Sequence, residues 1–363
     1  MIGISLYPDK TTKQQDEEYL TKAWTLGFRM VFMSFLQIDI NDPLRSINRI
    51  KESSCMASDM GFSVALDIHP MVFQYLPCKS DDLAYFHDMK VSTLRLDSGI
   101  DGKTEAMMTR NPYGIHIEIN MSNDTHMLES ILDYRPDKTR LCGSHNFYPQ
   151  RFTGLSRKRF LHNSRHFQQH HIKGAAFITS QCASITPWPI DAGLCTLEDH
   201  RDLPIQVQAR HMKMMGMVDT IIIANAYASD EELQAVSAVE KEMIDCLHVT
   251  FFEEATAFEM QIVLAEHEYR GDTSDYVIRS SKGRMKYRNE SIPAHRTVRD
   301  IHKGDILVLN DDYMQYKAEI QIALCDRPGD EKINVVGHIV REELLLLDEL
   351  QPFQKFCLQE VTA

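Results

Sequence analysis

Four charged side chains stand out because each interrupts an apolar, alternating run. They are Asp67 in FSVALDI (62–68), Arg95 and Asp97 in VSTLRLD (91–97), and Glu118 in GIHIEIN (114–120). Two carboxylates at one place suit acid–base chemistry on a glycosidic bond. One protonates the leaving oxygen, and the other attacks as nucleophile or activates water. The same pair serves equally well in an isomerase or a metal-dependent aldolase. Asn120 closes the third run, and HNFYP (145–149) follows with His145 and Tyr148. A tyrosine ring offers a flat face to a pyranose. His145 has three roles open to it: an acid–base group, a hydrogen-bond partner for a sugar oxygen, or a structural residue.

For these residues to act together, the elements that carry them must end at one place. Strand-like and helical runs alternate through the first two-thirds of the chain. The strand candidates are 2–7, 28–36, 62–68, 91–97, 114–120, 141–148, 173–180 and 217–229. Helices are expected over about 13–26, 42–60, 204–215 and 230–245, the second with Asp42 as N-cap and Pro43 in its first turn. Eight strand-then-helix units predict an α/β fold with a parallel sheet, and the count favours a closed (β/α)8 barrel. No Gly-x-Gly-x-x-Gly follows the first strand, which argues against a dinucleotide fold.

Strand side chains alternate between faces. Val64, Leu66, Ile68, Leu94, Leu96, Ile115, Ile117 and Ile119 form the aliphatic faces, which must pack on the helices. Asp67, Arg95, Asp97, Glu118 and Asn120 then face inward. Asp67, Asp97 and Asn120 fall at or near strand C-terminal ends, where barrel sites form, and Glu118 sits deeper. Structural ion pairing is the competing account of any one of these residues. For the set, function is preferred, because barrel interiors are mostly branched aliphatics.

Other segments add weaker signals. TGLS (153–156) leads into a helix capped by Ser156, and Arg151 beside that N-terminus makes an anion site. In GLCTLEDHR (193–201), Thr196 and Asp199 read as a capping pair, which makes Glu198 a first-turn acid ahead of a catalyst. His162, His166, His170 and His171 have i, i+4 spacing but no carboxylate partner of metal-site type; they read as surface residues, so no metal is expected.

The texture changes near residue 246. FEMQIVLAEH, DYVIRS, GDILVLND, AEIQIALC and INVVGHIV read as short strands of a small β barrel or sandwich, with REELLLLDEL (341–350) as a helix beside them. The expected domains are therefore 1–245, a barrel with the site, and 246–363, β-rich. The 363 residues exceed the roughly 250 of one such barrel. A net charge of −13 argues against general nucleic-acid binding while permitting a local anion site. The eight cysteines are dispersed with no Cys-x-x-Cys pair, so a zinc ribbon is unsupported. With no export signal in MIGISLYPDK, a reducing cytoplasm is expected. No run approaches the ~20 apolar residues of a membrane helix.

The runs GISLYP, LDIHP, LRLDSGI, IEINMSN, HNFYP with TGLS, and GLCTLEDHR resemble the bacterial 6-phospho-N-acetylmuramidases. GDILVLND, AEIQIAL and INVVGHIV extend the resemblance over essentially the whole chain, and HNFYP-x3-TGLS and NVVGxI are its more specific pieces. The resemblance implies a (β/α)8 barrel followed by a cyclophilin-like β-barrel domain. It implies hydrolysis of the β-1,4 bond in N-acetylmuramic acid 6-phosphate–N-acetylglucosamine during recovery of cell-wall fragments. Asp67, Asp97, Asn120, His145, Asn146 and Tyr148 fall in matching motifs and carry over. On this reading Asp97 and Asp67 are the catalytic carboxylates, with Glu118 a weaker third. Asn120, His145, Asn146 and Tyr148 hold the sugar, and Arg151, with Arg279 of the second domain, holds the phosphate.

The chain departs from the family pattern twice. Gln150, Arg151 and Phe152 stand where an Arg-Pro-acid run is usual, and Ala224 and Asn225 where Gly-Asp is usual. These departures keep open a catalytically weak phosphosugar-binding paralogue. Another phosphosugar enzyme, such as an isomerase or epimerase, is also open. The expected partner is a small phosphorylated sugar, with no cofactor, nucleic acid or membrane; a homo-oligomer is left open.

Overall fold

The computed structural model describes residues 1–361 other than 37, 39–41, 77, 124, 188, 190 and 191. The chain divides into two compact units, Met1–Lys241 and Glu242–Ala363.

In the first unit eight parallel strands close into a barrel in sequence order. They are β1 (Ile2–Ser5), β2 (Met30–Ser34), β3 (Ser63–Ile68), β4 (Thr93–Leu96), β5 (His116–Asn120), β6 (Leu141–Ser144), β7 (Lys173–Ile178) and β8 (Thr220–Ile223). Pairing of β8 with β1 completes the ring and leaves no open edge. The connecting helices start where local chemistry allows. Asp42 accepts the Arg45 N–H at 3.2 Å ahead of Pro43, and Ser156 accepts the Arg159 N–H at 3.3 Å. Thr12 and Gln15 form a reciprocal capping box for the helix Lys13–Thr25. Two expected strands end early. Residues 145–148 and 224–229 leave the sheet, and their backbone pairs with loops instead: Tyr148 with Cys195, and Ala226 with Ile185.

The aliphatic faces pack outward. Ile4, Val64, Leu66, Leu94 and Ile117 share a core with helix residues such as Leu20, Ile50 and Phe160. Each fully buried side chain of this kind contributes about 1.5–3 kcal/mol. Inside the barrel, Phe32, Ala65, Ala175, Phe177, Ile222 and Ala224 fill one part, with Phe32 and Phe177 edge to face at 5.1 Å. The other part is polar. Register sets Ser34 beside Asp67, Asp67 beside Arg95, Arg95 beside Glu118, and Glu118 beside Cys142. Neighbouring strands thus line up one polar row across the interior.

The second unit is a seven-stranded, nearly closed barrel-like sheet. Its strands are β9 (Asp245–Phe251), β10 (Glu266–Glu268), β11 (Val277–Ser280), β12 (Asp305–Leu309), β13 (Ile320–Ala323), β14 (Ile333–Ile339) and β15 (Lys355–Glu360), in the order β10-β15-β9-β14-β12-β13-β11. All described pairings are antiparallel except β9 with β15. Cys246 and Cys357 face each other in that parallel pair and form a disulfide.

Several expectations here need correction. FEMQIVL is not a strand but the helix Ala257–Val263, because Thr256 and Glu259 form a capping box. Residue 245 does not end a helix; the preceding helix stops at Lys241 and Asp245 opens β9. REELLLLDEL winds as a 3-10 helix, Arg341–Glu349. Among the described residues no helix is long and apolar enough to cross a membrane.

Candidate active site

Arg95 is the hub of the polar half of the barrel. It extends from β4 with 3% exposure, as do Asp67 on β3 and Glu118 on β5. Its Nη1 donates to Asp67 Oδ1 at 2.6 Å and to Asp97 Oδ1 at 3.3 Å. Nε donates to Ser144 Oγ at 2.8 Å and lies 3.7 Å from Glu118 Oε1. Nη2 donates to Asn146 Oδ1 at 2.5 Å. The fork of a guanidinium holds several acceptors in one plane, which an ammonium cannot do.

The three carboxylates differ in their access to water. Asp97 follows directly on β4 with its side chain 37% exposed, whereas Asp67 and Glu118 are buried at 3% exposure. Burial pushes the Asp67 carboxyl up, and the Arg95 charge, the Arg95 hydrogen bond and the Ser34 hydroxyl oppose that rise. Burial also raises Glu118, against the pull of Arg95 and Ser144. For Arg95 burial works the other way, but Asp67 and Glu118 more than offset it and raise its pKa. One cation thus serves three carboxylates, so the buried pair retains protons to higher pH than free carboxyls do.

The remaining expected residues divide. Asn146 lies in the cluster, and because its oxygen accepts from Arg95, its amide NH2 is the end left to donate. Tyr148 is half-buried; burial pushes its hydroxyl up while Ser122 and Arg95 pull it back. Asn120 shapes the turn after β5, accepting the Ser122 N–H at 2.8 Å and reaching the Asp97 carbonyl at 3.4 Å. His145 is fully buried and belongs to the helix side of the wall. Its Nε2 lies 2.9 Å from Ser164 Oγ, its Nδ1 3.5 Å from Ser122 Oγ, and its ring 4.7 Å from Phe160. Burial lowers its pKa to about 3, so it is neutral. Of the three roles open to His145, this is the structural one.

The two arginines named for phosphate are engaged elsewhere. Arg151 is exposed and makes a bidentate pair with Asp202, 2.7 Å on each arm. Arg279 lies on β11 of the second unit, 2.8 Å from the buried Glu319 and 3.6 Å from Asp272.

Glu198 is a loop clamp. It accepts the N–H groups of Phe152 and Gly154 at 2.7 and 2.8 Å and pairs with the buried Arg201, which holds its pKa down to about 2. The expected Thr196–Asp199 capping pair does not form. Thr196 accepts from Phe177 N and donates to the Asn146 carbonyl, and the short 3-10 helix begins at Glu198. His166 lies 2.8 Å from the Glu129 carboxylate, a single ion pair and not a cluster of ligands. Among the described residues no group of three or more His, Cys, Asp or Glu could hold a metal ion.

Asn225 and Phe152 occupy opposite surroundings. Asn225 is buried, accepts the Ser180 N–H at 2.7 Å and donates to the Ser180 carbonyl at 2.9 Å. Phe152 projects into solvent at 87% exposure with φ 65°. Sequence reasoning missed Ser34 and Ser144. Alternation on β6 could have found Ser144, since Leu141, Gly143 and His145 share the outer face.

Comparison with known proteins places this geometry in context. The profile of the 6-phospho-N-acetylmuramidase N-terminal domain matches residues 2–238, and that of the C-terminal domain matches residues 245–359. Among solved structures, an uncharacterized B. cereus protein is similar at 42% identity, covering 99% of both chains with a TM-score of 0.88. A conserved Enterococcus faecalis protein of unknown function is similar in fold at 24% identity, covering 99% of this chain and 96% of that one, with a TM-score of 0.73. No curated protein matches.

Proposed function

The chain belongs to the 6-phospho-N-acetylmuramidase family, and from that premise we propose that it hydrolyses the β-1,4 bond of N-acetylmuramic acid 6-phosphate–N-acetylglucosamine. The observation that carries this reading is the pair Asp67 and Asp97 on a single Arg95 nitrogen at the strand ends. Burial keeps a proton on the Asp67 carboxyl to higher pH, which suits the donor to the leaving oxygen. Asp97, half-exposed beside a guanidinium, suits the attacking carboxylate. The C–O bond to the leaving sugar breaks as Asp67 delivers its proton and Asp97 bonds to the anomeric carbon. Water then gives its proton to Asp67 and releases the sugar from Asp97.

Both aspartates accept from the same nitrogen, so those two oxygens lie within about 6 Å of each other. That suits a retaining pair, roughly 5–5.5 Å apart, better than an inverting one. Glu118 lies deeper and positions Arg95. The Asn146 amide and the Tyr148 ring hold the sugar, and Asn120 shapes the turn beside them. Arg151, whose partner Asp202 is itself exposed, meets the 6-phosphate. Arg279 is committed to Glu319 and is not assigned that role. On this reading the protein recovers cell-wall fragments in the cytoplasm, and its second domain is cyclophilin-like.

The test is direct. The protein is incubated with the 6-phosphorylated disaccharide and with its unphosphorylated counterpart, and released N-acetylglucosamine is measured. Release from the phosphorylated compound alone is expected. Cleavage of neither would overturn the proposal.

A further inference from the structure

The second unit holds a cleft of about 600 Å3 that the barrel chemistry leaves unused. Arg284, Arg288 and Lys317 line it, against one carboxylate, Asp311. In a chain of net charge −13 this local excess of cations runs against the average surface. Asp311 is already engaged by Lys317 at 3.0 Å, Ser291 Oγ at 2.8 Å and the Ile292 N–H at 3.1 Å. Arg284 lies 4.5 Å over the Tyr316 ring, donates to the Gln315 carbonyl at 3.1 Å and stands 3.5 Å from the buried Glu319. Arg288 is exposed and has no hydrogen-bond or ion-pair partner among the described residues.

The walls are fixed by backbone packing. The Ala318 carbonyl occupies the space that a Cβ on Gly283 would need, so Lys282–Lys286 docks directly on the segment carrying Lys317. Met314 and Ala318 take left-handed conformations there, with φ 50° and 62°. Such backbone is unfavourable for a non-glycine residue and often accompanies binding sites. Met285 and Met314, each 80% exposed, form an apolar rim.

We propose that this cleft is a second binding site, for a phosphomonoester the size of a sugar phosphate. Its volume falls within the roughly 300–1,000 Å3 of small-ligand sites. Guanidinium groups offer paired donors that match phosphate oxygens, and the methionines give carbon-skeleton contact. The cations converge on one concavity instead of running as a stripe, which favours a small anion over nucleic acid.

Calorimetric titration of the full chain with glucose 6-phosphate and with glucose tests this. Saturable binding of the phosphate, none of glucose, a roughly tenfold or greater loss in Arg288→Glu, and a smaller loss in Arg288→Lys, which keeps the charge without the paired donors, are expected. Arg151→Ala leaves the binding in place. Thermal unfolding of each variant checks that it is folded. Absence of saturable binding, binding unchanged in Arg288→Glu, or binding abolished by Arg151→Ala instead would each overturn the proposal.

Discussion

Arg95 donates to Asp67 across 2.6 Å with both residues 3% exposed. The two residues are register neighbours on adjacent strands, so the barrel itself brings them together. A charge pair this deep is costly to form and more costly to break, because the surviving partner stays buried. Arg95 also binds Ser144 and Asn146, which lets one side chain set the positions of groups from three different strands and loops.

Replacing that hub has a measurable cost. Arg95→Met leaves Asp67 and Glu118 without a counterion and is expected to lower stability by about 3–5 kcal/mol. Arg95→Lys recovers only part, since an ammonium cannot reach Ser144 and Asn146 together. Denaturant unfolding measures both; a loss below about 1 kcal/mol for Arg95→Met would contradict the buried-pair account.

Asp97 and Glu118 are expected to separate activity from stability. Asp97→Asn sits at a half-exposed position, so it costs under about 1 kcal/mol of stability yet lowers turnover about 10²–10⁴-fold. Glu118→Gln keeps the shape of a buried carboxyl whose pKa burial pushes up, and turnover falls less than about tenfold. Steady-state rates beside unfolding curves decide the matter. Equal rate losses would remove the distinction between the two roles.

The shared nitrogen predicts a stereochemical outcome. A retaining pair releases the muramic sugar first as its β anomer, which then mutarotates. Proton NMR of the anomeric region, recorded as the reaction starts, reads this directly. An initial α signal would exclude the Asp67–Asp97 double displacement.

His145 makes a prediction about pH. Its folded pKa is lowered to about 3 by burial, below the roughly 6.5 of the unfolded chain. Its neutral form therefore contributes stability that is present above about pH 6.5 and is lost as pH falls toward 3. The raised carboxyls of Asp67 and Glu118 act in the opposite direction, so the wild type alone does not isolate the effect. The difference in unfolding free energy between wild type and His145→Asn is expected to shrink from pH 7 to pH 4.5. The limiting slope is about 1.4 kcal/mol per pH unit. A difference independent of pH would show that His145 titrates normally.

Much of the barrel was legible because its signals are local. Alternation in FSVALDI, VSTLRLD and GIHIEIN assigns each residue to a face without knowledge of the neighbouring strand. Asp42 with Pro43, and Ser156, announce helix starts through bonds spanning three residues. The same local rule, carried along β6, would have turned His145 outward and Ser144 inward. The FEMQIVL segment misled because an apolar run suits a strand or a helix alike, and the decisive Thr256–Glu259 pair lies at its margin.

By itself, then, the sequence determined the eight strands of the barrel, the faces of those strands, and the inward set that includes Asp67, Arg95, Asp97 and Glu118. Only the tertiary structure decided who partners whom. It set Arg95 on Asp67, Asp97, Ser144 and Asn146; it gave Arg151 to Asp202 and Arg279 to Glu319; and it joined Cys246 to Cys357. Face assignment follows from the geometry of one strand, whereas these pairings depend on register between segments up to 111 residues apart. A one-residue slip in that register would change every partner while leaving the sequence pattern intact.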